Sequence, residues 1–321
     1  MKIKVIANPQ LVNGHHRYLR ALVQQQFGHH VVGIEQTTCP QHATDIARRA
    51  ASEHVDTVVA VGGDGTMNEV INGIVGSSTA LGIIPAGTAN DLASLYSIPT
   101  DVGKACEVIL ERHVQQADVI NVNGWYYVTV GGLGLPSEVA SMANTIKKSG
   151  AVGKLLRKIL GSHIYTLAMV GALVKTNTQH NPIKIQSSDT NIENVNASAL
   201  LVANQPFLGK HFIVSPEAVN NDGRFNVCLI ENTKRLSDIL LILMKAYTGE
   251  HVHSPFVKTW ACKELVINTD HPLTFFGDGE VCQEGVEFRI RIFPRAIKII
   301  VPKATQEYFD EGTQVGSSLY S

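Results

Sequence analysis

Three glycines in four positions, Gly62-Gly63-Asp64-Gly65, followed by Thr66, stand directly after the apolar run Thr57 to Val61 and ahead of a helical period near Met67. A strand that runs through such a loop into a helix calls for a parallel β-α-β crossover, since the next strand must lie beside the first. Without a Cβ, glycine lets another backbone or a phosphate come close, and the helix N-terminus adds partial positive charge. Asp64 and Thr66 bring a carboxylate and a hydroxyl that a turn built only to relieve strain does not require. A second strand, Leu81 to Ile84, leads into Pro85-Ala86-Gly87-Thr88-Ala89-Asn90-Asp91, again at a helix start, where Thr88 or Asn90 supplies an N-cap. Strand ends of an open α/β sheet share one edge, so the two loops are expected to flank one crevice suited to an anionic ligand. No Gly-Lys-Ser/Thr follows either loop, which excludes a Walker site.

The surrounding pattern extends this layered domain. Ile3 to Ala7 and Val31 to Ile34 read as strands, Tyr18 to Phe27 as a helix, and a helix from His42 places Ala43, Ile46, Ala47 and Ala50 on one stripe. After Asp118 the pattern turns to strands: Trp125 to Val130, Ile183 to Ser187, Ala199 to Ala203, Arg224 to Ile230, Lys263 to Ile267, Glu287 to Phe293 and Ala296 to Val301. One helix stands among them, its expected face Leu236, Ile239, Leu240, Leu243, Met244 and Tyr247. The 321 residues, at about 150 per domain, divide into an α/β domain over 1–123 and a β-rich domain over 124–302. Residues 303–321 either dock back on the first domain or fray.

Charge narrows the function classes. Lys+Arg 27 against Asp+Glu 28 leaves no surplus of the kind a general nucleic-acid binder uses. No segment is apolar over the roughly 20 residues of a membrane span, and no signal region precedes Asn8-Pro9, so a cytoplasmic location is expected. Five scattered cysteines without a C-x-x-C pair fit reduced thiols. Gly132-Leu133-Gly134 follows a strand but lacks the acid a dinucleotide site needs, because Val139 to Ser188 holds no Asp or Glu. That span does carry Lys147, Lys148, Lys154, Arg157, Lys158, Lys175 and Lys184. On a helix, Lys154, Arg157 and Lys158 lie opposite Leu155, Leu156, Ile159 and Leu160, a form suited equally to an anionic membrane surface and to a domain helix with a solvated face. His251 and His253 make the best histidine pair, yet no third ligand beyond Glu250 supports a metal.

The run Val61-Gly62-Gly63-Asp64-Gly65-Thr66-Met67-Asn68-Glu69-Val70, followed by Gly87-Thr88-Ala89-Asn90-Asp91-Leu92-Ala93, resembles the catalytic domain of the bacterial diacylglycerol kinase and lipid kinase family, which includes relatives of sphingosine kinase. Asn204-Gln205-Pro206, Ser215-Pro216-Glu217-Ala218, Asn221-Asp222-Gly223-Arg224-Phe225, Thr248-Gly249-Glu250-His251 and Gly277-Asp278-Gly279-Glu280 stand in the family's order, so the resemblance covers nearly the whole chain. It implies an NAD kinase/phosphofructokinase-like α/β domain that binds ATP and a β-sandwich domain that holds the lipid, with the site between them. By the same resemblance Asn8, Thr37, Gly62, Gly63, Asp64, Gly65, Thr66, Met67, Asn68 and Thr88 touch nucleotide. Asp64, Asp91 and Asp118 are its essential acids, Asp64 also toward metal, and Asp278 and Glu280 lie in the turn of the catalytic base. Asp222 corresponds to a structural Mg2+ ligand, assisted by the carbonyls of Val219 and Arg224. The implied activity is ATP- and Mg2+-dependent phosphorylation of a lipid hydroxyl, diacylglycerol or a related lipid, with the protein peripheral to the membrane and a homodimer among the allowed states. Two rivals remain: a kinase of a soluble metabolite such as NAD, and a lipid-binding regulatory protein whose nucleotide site has decayed. The chain departs from the family in the first loop, Gln10 to Gly14, and in Gly209-Lys210-His211, where the family carries more glycine.

Overall fold

The computed structural model describes residues 1–9, 16–87, 90–134, 182–188, 190–208, 212–233 and 235–310. The expectations for the first loop, for Thr88, for Gly209-Lys210-His211 and for the basic segment around Lys154, Arg157 and Lys158 lie outside these residues.

The first lobe is the parallel α/β layer that the loops require. Strands β1 (Ile3–Ala7), β2 (Val31–Gln36), β3 (Thr57–Gly62) and β4 (Ala80–Pro85) pair in the order β2-β1-β3-β4, every pair parallel. Both β3 and β4 are buried along their whole length, which their unbroken apolar sequences allow. Helices α1 (His16–Phe27), α2 (His42–Ser52), α3 (Asp64–Ile74), α4 (Asp91–Leu95) and α5 (Val102–Glu111) supply the crossovers and the outer layers. Helix α2 buries Ala43, Ile46, Ala47 and Ala50, the expected stripe. It approaches α3 so closely that a Cβ on Gly73 would stand 2.6 Å from the Cβ of Ala47. Helix α3 begins at Asp64, three residues before the expected start, so Asp64, Gly65 and Thr66 form its first turn instead of a loop before it.

The second lobe is built from β5 (His113–Val122), β6 (Trp125–Tyr127), β7 (Val130–Gly134), β8 (Pro182–Ser187), β9 (Asn191–Ala203), β12 (Phe225–Glu231), β13 (Val257–Cys262), β14 (Glu264–Gly277) and β15 (Glu280–Val301), antiparallel wherever they pair with one another, with β10 (Phe207–Leu208) and β11 (Phe212–Ile213) as a separate hairpin. Its core gathers Ile120, Tyr127, Leu200, Val227, Leu265, Phe275 and Phe288. The segment Trp125 to Val130, expected as one strand, breaks into β6 and β7 because the N–H groups of Val128 and Thr129 turn to the carboxylate of Asp278. The two segments expected at Glu287 to Phe293 and Ala296 to Val301 are parts of the 22-residue β15. Its pairing with β5 shifts between Phe293 and Ile297, where Arg295 takes φ +51°. Beyond that shift β15 pairs in parallel with β4 through Lys298 and Ile299, so a single sheet of 13 strands runs through both lobes.

Helix α6 (Leu236–Lys245) corrects a second expectation. It buries Ile239 and Ile242, with Ala246 just beyond its end, while Leu240, Met244 and Tyr247 from the expected face are exposed. The periodicity marked the helix correctly; the apolar surface extends too far around it for periodicity alone to select the packed side. Helix α7 (Lys303–Asp310) returns to the first lobe, where the Thr305 hydroxyl donates to the Tyr96 carbonyl at 3.1 Å. His251 lies in a 3-10 turn and is buried, with Nε2 3.3 Å from the Val214 carbonyl oxygen. Among the described residues, no group of three or more His, Cys, Asp or Glu is arranged to hold a metal, and no helix is long and apolar enough to cross a membrane.

Candidate active site

Connections leave β1 and β3 toward opposite sides of the sheet, and the crevice opens between their C-terminal ends. The ladder continues one step beyond each strand. Asn8 N–H donates to Val61 at 3.0 Å, Ala86 N–H to Gly62 at 2.8 Å, and Thr37 N–H to Ala7 at 3.0 Å. Asn8, Thr37 and the two glycine loops therefore share one edge. The loops touch through glycine: a Cβ on Gly87 would lie 2.5 Å from the Cα of Gly63 and 2.7 Å from Oδ1 of Asn90. Asn90 holds the second loop by exchanging hydrogen bonds with Gly87, its Oδ1 accepting from Gly87 N–H and its Nδ2 donating to the Gly87 carbonyl, both at 3.0 Å.

Asp64 ties the two loops together. Its Oδ2 accepts from Asn90 N–H at 2.8 Å and its Oδ1 from Asp91 N–H at 2.7 Å, so a carboxylate from the first turn of α3 caps α4. Burial pushes its carboxyl above the usual range, the two N–H donors oppose that, and the negative charge of Asp278 raises it further. Thr66 is buried, with Oγ1 accepting from Nδ2 of Asn8 at 3.4 Å.

The second lobe delivers its acids on a two-residue hairpin. Gly277 pairs with Glu280, and Asp278 and Gly279 between them have φ of +51° and +77°, the left-handed pair that Asp-Gly favours between twisted strands. This turn points Asp278 at the first turns of α3, where Asn68 Nδ2 donates to Oδ2 at 2.7 Å. Thr129 donates to Oδ1 through its N–H at 2.8 Å and its hydroxyl at 2.7 Å, and Val128 N–H completes the cradle at 3.2 Å. Burial pushes the Asp278 carboxyl up while these donors pull it down. Asp64, Met67, Asn68, Ile71, Asp91, Leu92, Thr129 and Asp278 line one pocket. Glu280 stands just outside it over the start of α3, with Oε1 3.5 Å from where a Cβ on Gly65 would be.

Asp118 and Asp222 gather elsewhere. Asp118 is fully buried on β5, with Oδ2 accepting from Gly223 N–H at 2.6 Å and Oδ1 from Arg295 N–H at 2.7 Å. It fixes the loop after Asn220 against the irregular step of β15. Burial pushes its carboxyl up, the two N–H donors hold it down, and the charge of nearby Asp222 pushes it up again. Asp222, itself raised chiefly by burial, accepts from Arg224 N–H at 2.9 Å. The structure thus brings Asp64, Met67, Asn68, Asp91 and Asp278 around one pocket, with Glu280 at its margin and Asn8, Thr37, Gly62, Gly63, Gly65 and Thr66 along the adjoining edge. Asp118 on β5 and Val219, Asp222 and Arg224 in the loop it holds form a separate cluster.

Three residues of this arrangement escaped the sequence reading. Thr129 lay in a stretch read only as strand, Asn204 stood in the Asn204-Gln205-Pro206 motif with no role given to it, and Asn72 lay in a helix read only as a crossover. Asn72 exchanges both hydrogen bonds with the Tyr126 backbone, accepting at 3.0 Å and donating at 2.8 Å, so α3 pairs with β6 as a strand would. The recurrence of Asn four residues after Asn68 is the one local signal that both face the same neighbour.

A parallel α/β lobe whose glycine loops meet a carboxylate hairpin from a β-rich lobe defines a fold shared by lipid kinases and NAD kinases. Residues 2–122 match the family described as the diacylglycerol kinase catalytic domain, and residues 137–301 match the YegS C-terminal NAD kinase beta sandwich-like domain. A diacylglycerol kinase of Bacillus subtilis strain 168 is 26% identical over 318 residues, covering 97% of this chain and 99% of that protein. One from Staphylococcus saprophyticus is 30% identical over 240 residues, 74% of each chain. A crystal structure of a diacylglycerol kinase from Bacillus anthracis superposes with a TM-score of 0.68 at 19% identity, covering 95% of this chain and 98% of that one. An NAD kinase from Archaeoglobus fulgidus, solved in complex with ATP, has a TM-score of 0.50 at 11% identity over 98% of this chain and all of that one, a likeness of fold. The chain belongs to the diacylglycerol kinase family.

Proposed function

We propose that this protein transfers the γ-phosphoryl group of ATP to the hydroxyl of a lipid, diacylglycerol or a relative of it, working from the cytoplasm at the membrane surface. The observation that carries this reading is the hydrogen bond from Asn68 on α3 to Asp278 on the β14-β15 hairpin, which seats a carboxylate of the second lobe beside the glycine loops of the first. Phosphoryl transfer asks for an aligned hydroxyl, shielding of phosphate charge and a carboxylate to take the hydroxyl proton. The loop edge from Asn8 to Thr66 offers N–H groups and a helix N-terminus for phosphates. Of Asp278 and Glu280, one glycine apart on the hairpin, one takes the proton as the hydroxyl oxygen bonds to phosphorus and the bond from phosphorus to the departing diphosphate breaks, and the other orients the hydroxyl or the phosphates.

The residues present fit Mg2+ in two places. Asp64 and Asp278 are half-buried acids, and the charge of Asp278 raises the Asp64 carboxyl, a repulsion that a divalent cation relieves. In the Asp222 loop, Asp118 and Asp222 repel in the same way, and Oδ1 of Asn220, buried, has no donor among the described residues. Asp222 with the carbonyls of Val219 and Arg224 would hold a structural ion there. When bound at the phosphates, Mg2+ shields their charge.

The test is phosphorylation of a panel containing diacylglycerol, phosphatidylglycerol, a sphingoid base and NAD, with Mg-ATP in mixed micelles. A phosphorylated lipid is expected. Phosphorylation of NAD alone replaces lipid by a soluble metabolite, and silence across the panel with intact ATP binding supports a regulatory lipid binder.

A further inference from the structure

Helix α3 holds the helices on both sides of it. Asp64, its first residue, accepts from the N–H groups that open α4, and Glu69 does the same for α2, with Oε2 accepting from Ala43 N–H at 3.0 Å. The Glu69 carbonyl also accepts from the Thr44 hydroxyl at 2.8 Å. One turn further on the same face, a Cβ on Gly73 would stand 2.6 Å from the Thr44 carbonyl oxygen, so α2 lies against α3 without room to shift.

The segment 37–42 between β2 and α2 is fixed at three places. Thr37 N–H donates to the Ala7 carbonyl at 3.0 Å, Thr38 N–H donates to Nδ1 of His42 at 3.1 Å, and the start of α2 is tied to Glu69. Gln41, the residue before the helix, has φ +67°, a left-handed turn that a residue other than glycine keeps where its surroundings hold it. Its side chain gives α2 no cap, and Glu69 supplies one from another element. The place of this segment on the sheet decides what it meets. The order β2-β1-β3-β4 continues from β4 into β15 of the second lobe. A phosphoryl group on its way to an acceptor must face that lobe, at the loops after β3 and β4. The rest of the nucleotide then runs the other way, over β1 toward β2, across two strand spacings of about 4.8 Å each.

We propose that Glu69 is a positioning residue for the nucleotide: through the start of α2 it sets the segment 37–42 where the nucleoside of ATP lies against it. This rests on the reading of the glycine-loop edge as the ATP site. Without an acceptor at position 69, Ala43 N–H loses its partner, the helix start loosens, and the segment no longer keeps one position. The phosphate loops are held by Asp64 and Asn90 and keep theirs.

Glu69→Met and Glu69→Ala remove the acceptor; Glu69→Gln keeps an oxygen at the same reach. Calorimetry with Mg-ATP is paired with calorimetry with inorganic tripolyphosphate, which has the phosphates and no nucleoside. The two acceptor-free variants are expected to weaken Mg-ATP by about 3- to 30-fold, the scale of a lost helix cap, with tripolyphosphate affinity within about twofold of the parent. Glu69→Gln is expected to stay within about threefold of the parent for both ligands. In mixed micelles with diacylglycerol, KM for ATP should rise with the loss of affinity and KM for the lipid should not. Parent-like Mg-ATP affinity in a folded acceptor-free variant overturns the assignment. So does an equal loss for tripolyphosphate, a Glu69→Gln variant as weak as Glu69→Met, or loss of the fold in both acceptor-free variants. Should the parent hold tripolyphosphate too weakly to titrate, the split between the two KM values decides by the same criteria. If the parent binds no Mg-ATP, the kinase reading itself fails and this inference falls with it. If the parent binds Mg-ATP and Glu69→Met binds it equally well, only the role of Glu69 is lost.

Discussion

Asp278 and Glu280 sit one glycine apart, yet they face different surroundings. Asp278 is enclosed by Asn68, Val128 and Thr129, and Glu280 overlies Gly65. The pair was legible as a turn carrying two acids, and Asp-Gly is a strong hairpin signal. Their division of labour was not, because it depends on Asn68 and Thr129, residues 210 and 149 positions away along the chain. Asp278→Asn and Glu280→Gln are each expected to lower kcat with nucleotide affinity retained, the one that removes the base by about 10²- to 10⁴-fold; steady-state kinetics and calorimetry with Mg-ATP check this, and the larger loss identifies the base. A second residue-scale outcome concerns His251, whose pKa burial pushes below the ordinary 6.5. As pH falls through 6.5 the unfolded chain takes up its proton first, so this residue's contribution is intact above 6.5 and is lost toward the folded-state value. Thermal melts of His251→Gln should show a flatter pH dependence below 6.5 than the parent, and identical slopes would remove His251 as a source of that dependence.

At the scale of elements, the parallel core was legible because β3 and β4 are buried throughout and their sequences are accordingly continuous in apolar residues. The helix starts were less so. Asp64 looked like a loop residue and proves to be the first residue of α3, with its carboxylate accepting from the first N–H groups of α4. Close contact between loops leaves no periodic trace either. Gly87→Ala would press a methyl group against Gly63 and Asn90, and forced overpacking of this kind costs about 1–3 kcal/mol. The expected result is a lower melting temperature together with weaker Mg-ATP binding, and a variant with parent affinity would show that the spacing of the two loops does not matter to the nucleotide. The pairing of α3 with β6 predicts a separable effect. Asn72→Leu leaves the Tyr126 N–H without its partner, about 1–3 kcal/mol for a buried donor, and should lower stability in urea without abolishing nucleotide binding.

At the scale of the whole molecule, β14, β15 and helix α7 connect regions that sequence reading treats one at a time. The two-lobe character was visible in the change from alternating helices and strands to strands alone near Asp118. The continuity of the sheet was not, since pairing of β15 with β4 joins residues about 220 positions apart and nothing local encodes it. Asp118 adds to the same connection by accepting from both the Gly223 loop and Arg295. Asp222→Ala is accordingly expected to remove a cation ligand from that junction: melting of the parent should rise with added magnesium and that of the variant should not. An equal response in both would place the structural ion elsewhere.

The parallel edge of β4 is closed by Lys298 and Ile299, and Tyr96 receives its hydrogen bond from Thr305. During synthesis, the first 122 residues leave the ribosome with that edge bare, and it stays bare until nearly the whole chain has emerged. At about 5–20 residues per second, the roughly 175 residues in between take on the order of ten seconds or more. For that interval the nascent first lobe presents an unpaired apolar strand to its neighbours. Growth temperature and chaperone supply should therefore govern the yield of this protein more than the stability of its finished fold.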